Sequence, residues 1–79
     1  MWALNISGEI VNLVNGNTIT LGQTSALWEI VLTLNVTGFD SKGRFCEYKD
    51  TKLLSTYKNE QYARDAFHNL AEQLCAVKI

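Results

Sequence analysis

One stretch of the sequence, residues 27–39, constrains the fold more than any other. Apolar residues occupy every second position and polar residues fill most positions between them. Successive side chains of a β-strand point to opposite faces, so this period of two predicts a strand with one face on a core. The apolar members of the predicted core face are Trp28, Ile30, Leu32, Leu34 and Val36.

A tight turn follows this strand. The residues from Asp40 to Gly43 predict a hairpin, because glycine readily adopts the left-handed conformation that such loops need. With residues 41–43 as the loop, polar residues face polar residues across the two strands, and Phe39 meets Phe45 beside the turn. The pairs predicted in this register are Thr37 with Glu47, Asn35 with Lys49, Thr33 with Thr51, Val36 with Tyr48, and Gly38 with Cys46. Beyond Asp50 the alternation fails, which predicts a bend or the strand end.

The N-terminal third predicts a further strand and a first hairpin. Residues 2–7 alternate, and the apolar phase changes near Gly8, which favours a bulge or bend there. Asn15-Gly16-Asn17 is typical of a hairpin turn. The favoured register places Leu13 opposite Ile19 and Val11 opposite Leu21, and residues 22–25 are predicted to form a loop.

A single helix is predicted at the C-terminal end. Asn59 is a suitable N-cap, and Glu60 follows in the first turn, where an acid is favourable. Apolar residues then recur every three or four positions for about five turns: Tyr62, Ala63, Ala66, Phe67, Leu70, Leu74 and Val77. The predicted fold is one α+β domain over residues 1–79, an antiparallel β-sheet of about four strands (two consecutive hairpins) packed on one C-terminal α-helix, in the order ββββα.

Composition limits the classes of function. A chain of 79 residues has room for one core only, and no apolar run is long enough to span a membrane. Residues 1–8 lack the basic and apolar regions of a signal peptide, so we expect none. Two cysteines far apart, Cys46 and Cys75, favour reduced thiols in a cytoplasmic protein.

No pattern of catalytic residues is found. His68 is the single histidine, and on the predicted helix it lies between charged residues that are typical of a solvated face. Cys75 is two helical turns away, about 10 Å, which is too far for a Cys–His nucleophile. There is no glycine-rich phosphate loop. We therefore expect no enzyme, no cofactor and no metal site.

The second hairpin is the candidate binding surface. Aromatic and basic residues are concentrated there, and the candidates for partner binding are Phe39, Lys42, Arg44, Phe45, Lys49 and Lys52. Four basic residues between positions 39 and 52 are opposed by three acids, Asp40, Glu47 and Asp50, so the hairpin is nearly neutral.

Two hypotheses of function follow. The first is a small non-enzymatic binding protein that acts through protein–protein contacts. We expect such a protein to form a homodimer through an edge strand, either at residues 19–21 or at the N-terminal strand. An inhibitor encoded by a phage or mobile element is one form of it. The alternative is a nucleic-acid-binding module in which bases stack on the aromatics of hairpin 39–52 and its basic residues follow phosphates.

Overall fold

The computed structural model describes residues 1–79 and has an α+β fold with one mixed sheet and one helix. The strands are β1 (Trp2–Leu4), β2 (Ile10–Asn12), β3 (Thr18–Thr24), β4 (Leu27–Phe39), β5 (Phe45–Tyr57) and β6 (Val77–Lys78), and α1 (Glu60–Gln73) lies between the last two. Their order across the sheet is β5-β4-β3-β2-β1-β6. The expectation of four antiparallel strands was therefore too low, and β6 pairs with β1 in parallel.

The N-terminal strand is shorter than predicted because the chain reverses direction. β1 ends at Leu4, and residues 5–9 form a turn in which the backbone N–H of Asn5 donates to the Glu9 carbonyl and Gly8 has a φ of 82°. β2 then returns antiparallel to β1. The change of phase near Gly8 thus marks a hairpin turn, and Ile6 is 98% exposed.

The first predicted hairpin register was wrong. Ile10 pairs with Ile19 and Val11 with Thr18, because the chain leaves the sheet after Asn12. The Asn12 side chain accepts hydrogen bonds from the backbone N–H groups of Val14 and Asn15, which turns the chain early. The predicted loop at residues 22–25 belongs mostly to β3, and the turn into β4 lies at residues 25–26.

The second hairpin has the predicted register. Thr37 pairs with Glu47, Val36 with Tyr48, and Phe39 with Phe45. The expected irregularity after Asp50 is a β-bulge: Val31 pairs with Leu53 but Ile30 pairs with Ser55, and β5 continues to Tyr57.

The helix begins where the sequence predicts, since the Asn59 side chain accepts hydrogen bonds from the backbone N–H groups of Gln61 and Tyr62. It ends one turn early. Cys75 adopts a φ of 53°, and the chain then enters β6. A helix of 14 residues is about 21 Å long.

The core lies between this helix and one face of the central strands. Its buried members are Ile10, Ile19, Ile30, Phe67 and Ala71. Of the five apolar residues predicted to face the core from β4, Ile30 alone is buried; Trp28, Leu32, Leu34 and Val36 are half-buried. No helix has the length and apolar character needed to cross a membrane.

Candidate protein-interaction surface

The outer half of the β4–β5 hairpin, residues 34–50, projects beyond the core, and we call it the arm. β4 and β5 each contain 13 residues, which gives a length of about 44 Å. The helix can cover at most half of that length. Most side chains of the arm are consequently exposed, and they include two phenylalanines and a tyrosine.

Asn35 fixes the base of the arm to the loop between β2 and β3. Its backbone N–H donates to Oδ1 of Asn17 at 2.8 Å, and its Nδ2 donates to the carbonyl of Asn15 at 2.9 Å. Gly16 lies between these partners with a φ of 76°, and a Cβ there would come within 2.8 Å of Asn35 Nδ2. Only glycine fits this position without strain. Through its hydrogen bonds to Asn35, the Asn-Gly-Asn turn therefore also orients the arm.

Asp40 holds the tip of the arm. Its Oδ1 accepts from the backbone N–H groups of Lys42 and Arg44, each at 2.9 Å, and its Oδ2 accepts from Arg44 Nε at 3.0 Å. The hydrogen bond from the Arg44 backbone N–H is the largest cause that holds the pKa of Asp40 below its ordinary value. Desolvation opposes it, and the hydrogen bonds from the Lys42 backbone N–H and the Arg44 guanidinium lower the pKa further.

This pKa shift predicts a pH dependence of the tip. A carboxyl group whose pKa is lower in the folded than in the unfolded chain contributes stability above its ordinary pKa and loses it as the pH falls through the lowered value. We expect Asp40 to titrate below an ordinary aspartate in a carboxyl NMR titration, and the Phe39–Phe45 ring contacts to weaken over the same acidic range. An Asp40 that titrates at the ordinary value would contradict this prediction.

Three of the six predicted binding residues lie on one face of the arm, opposite the helix. Phe39 and Phe45 form an edge-to-face pair with ring centroids 6.1 Å apart, and they are 75% and 64% exposed. Lys49 is on the same face, since it lies an even number of residues from Phe45 along the strand. We call this the open face. It also carries Glu47, between Phe45 and Lys49.

The other three predicted residues are placed differently. Arg44 is engaged by Asp40 at the tip, and Lys42 lies in the same turn. Lys52 pairs with Leu32 and therefore points to the helix side of the sheet. The six residues thus do not form a single patch.

The free edge of β5 was not predicted from the sequence. β5 is the outermost strand, and no other strand pairs with its outer side. Tyr48, Leu53 and Leu54 on this strand are each about half exposed, at 56%, 56% and 47%. The alternation of apolar and polar residues fails at the bulge, so the sequence predicts a strand that is shorter than β5.

A cavity on the helix side was also not predicted. It has a volume of about 260 Å³ and lies between the loop after β1 and the helix, with Trp28, Arg64 and His68 in its lining. The Arg64 guanidinium stacks 5.6 Å from the Trp28 ring and bonds to Glu60 at 2.8 Å. The Arg64 guanidinium is thus already paired, and the volume of the cavity is below the usual range for ligand pockets. The cavity therefore does not identify a ligand.

The exposed open face of the arm is a surface that can contact a partner. Both cysteines are free thiols, with Cys46 on the arm and Cys75 at the end of the helix. Comparisons of the chain with protein-family models, with curated proteins and with solved structures find no match.

Proposed function

We propose that this chain is a non-enzymatic binding module that docks on another protein through the open face of its arm. The observation that carries the proposal is the exposed Phe39–Phe45 pair at the end of a projecting hairpin. Aromatic side chains dominate the energetics of protein interfaces, and this pair is held in one geometry by the turn below it. An inhibitor encoded by a phage or mobile element would be one form of such a module.

The placement of the pair supports docking over a role in folding. Neither ring belongs to the core, and the hairpin there is two strands wide. Two-stranded hairpins are marginal in water, so exposed aromatics on one are better explained by a partner that covers them. Covering a phenylalanine side chain contributes roughly 1.5–3 kcal/mol.

The combined change Phe39→Ala with Phe45→Ala is expected to weaken partner binding at least tenfold and leave the fold intact. Affinity capture from extracts of the source organism, followed by quantitative mass spectrometry and titration with the purified partner, measures the effect. Tyr62→Ala is the matched control, because Tyr62 is an aromatic residue 69% exposed on the helix, outside the arm. A set of captured proteins that does not change with the phenylalanine pair would contradict the proposal.

The nucleic-acid alternative rests on the same rings with Lys49 beside them. The charge of the open face argues against it, because Glu47 lies between Phe45 and Lys49 and Arg44 is already paired with Asp40. Fluorescence anisotropy with single-stranded DNA and RNA at low salt separates the two hypotheses. Binding that falls steeply with added salt and is lost in the double phenylalanine variant would favour nucleic acid instead.

A further inference from the structure

The free edge of β5 presents a regular set of backbone groups. The backbone N–H of Asp40 donates to the Arg44 carbonyl, and bonded and non-bonded pairs alternate along an antiparallel ladder. The backbone of every second residue from Phe45 therefore points away from β4. The Asn35 N–H confirms this phase, since it points away from β5 towards Asn17. The outward-pointing residues are Phe45, Glu47, Lys49, Thr51 and Leu53.

Neither segment that was predicted as a dimerisation edge offers a long free edge. β1 lies between β2 and β6, and in β3 Thr18 and Ile19 pair on both sides. The β2 side of β3 is therefore free over residues 20–24 only. β6, at the far side of the sheet, has two residues. An edge of 13 residues on β5 is thus the one long template for adding a strand.

We infer that the strand added there is β5 of a second copy of this chain, antiparallel about a two-fold axis at Tyr48. This inference rests on the proposed function, because it uses the same arm. Outward-pointing residues pair only with outward-pointing residues. In an antiparallel pair related by a two-fold axis, this rule places one residue directly opposite its own copy, with the axis between the two. The possible centres can therefore be tested one by one against the charges of the strand.

Most centres are excluded by like charges. An axis at Glu47, Lys49, Asp50 or Lys52 places that charged residue directly opposite its own copy, which is unfavourable. An axis at Cys46 leaves a ladder of about three residues, since the strand begins at Phe45. An axis at Leu53 would lie in the bulge.

Two centres have complementary charges, and the bulge distinguishes them. At Thr51, Asp50 faces Lys52 of the other copy, but the ladder meets the bulge after Leu53 on both sides. At Tyr48, Glu47 faces Lys49 in both directions and Phe45 faces Thr51, all within the regular part of the strand. Lys52 falls opposite Arg44, which lies just outside the strand and is already paired with Asp40. This register gives roughly eight interchain backbone hydrogen bonds. It also stacks the two Tyr48 side chains, which are 56% exposed in one chain.

The dimer would make the proposed binding surface bivalent. A two-fold axis perpendicular to the sheet keeps the open faces of both copies on the same side. The Phe39–Phe45 pairs would then lie on one continuous surface, with the two Phe45 residues about 20 Å apart along the strands. Such a surface fits a partner that offers two equivalent sites.

Charge exchange on β5 tests the inference. Sedimentation over a concentration series is expected to show a species of twice 8.9 kDa for the native chain. Glu47→Lys and Lys49→Glu should each weaken association at least tenfold, and the two together should restore it. Both residues face uncharged partners on β4, Thr37 and Asn35, so the exchange leaves the arm itself intact.

Asp50→Lys is the matched control, because Asp50 would face the uncharged Cys46 in the Tyr48 register and Lys52 in the Thr51 register. Association that survives Asp50→Lys and is lost in Glu47→Lys supports the inference. A second test uses chains in which Cys46 and Cys75 are alanine: a disulfide between copies that forms with Tyr48→Cys but not with Thr51→Cys also supports it. A native chain that stays monomeric, the opposite pattern of losses, or no recovery in the double variant overturns it. A monomer that still captures its partner through the phenylalanine pair would leave the proposed function standing.

Discussion

Replacing Phe67 by alanine is expected to leave most of the protein unfolded at 25 °C. Phe67 is 5% exposed and is the one aromatic residue in the buried cluster, where it joins the helix to the central strands. Removing a buried phenylalanine ring costs about 3–5 kcal/mol. A single small core rarely supplies more than about 3–5 kcal/mol in total, so this change removes most of the stability.

Urea denaturation followed by circular dichroism measures this loss. Tyr62→Ala is the control, because Tyr62 lies on the same helix but is 69% exposed, and it should change the free energy of unfolding by less than about 0.5 kcal/mol. A loss below about 1 kcal/mol for Phe67→Ala would mean that the helix does not hold the sheet in the way described.

The parts of the fold that the sequence predicts are those with two agreeing signals. The β4–β5 register follows both from the turn that ends at Gly43 and from polar pairs such as Asn35 with Lys49. The start of the helix follows from Asn59 and the apolar periodicity together. For the β2–β3 register the Asn15-Gly16-Asn17 turn and the apolar pairs also agreed, but the side chain of Asn12 turns the chain before that register can form.

The last strand could not be predicted in the same way. β6 contains two residues, which is too few for a periodicity, whereas the alternation of residues 2–7 predicts a strand where β1 lies. β6 joins the sheet because the helix ends at the left-handed Cys75, and Ile79 then donates its N–H to the Leu4 carbonyl. These are tertiary contacts, and no local pattern in residues 75–79 encodes them.

The candidate site was predicted in part. The contact of Phe39 with Phe45 follows from the register, and the structure places the two rings together. The free edge of β5 depends on the order of the strands across the sheet, in which β6 pairs with β1 and not with β5. The exposure of the arm depends on where the helix packs, which is on Ile10, Ile19 and Ile30 and not on residues 34–50.

The arm should be separable from the rest of the domain. Replacing residues 37–47 by Asn-Gly joins Val36 to Tyr48, which form a hydrogen-bonded pair in the ladder and so suit a two-residue turn. We expect this shortened chain to keep the far-ultraviolet circular dichroism of the helix and to unfold cooperatively. It should lose both partner capture and self-association, because it lacks the phenylalanine pair and Glu47.

This expectation follows from where the buried residues lie. The core members Ile10, Ile19 and Ile30 are all outside residues 37–47, as are both partners of Asn35 in the loop before β3. The double variant Phe39→Ala with Phe45→Ala is the control, since it should lose partner capture but keep self-association through β5. A shortened chain that is unfolded would show that the arm stabilises the core, and one that still associates would place the contact between copies outside the arm.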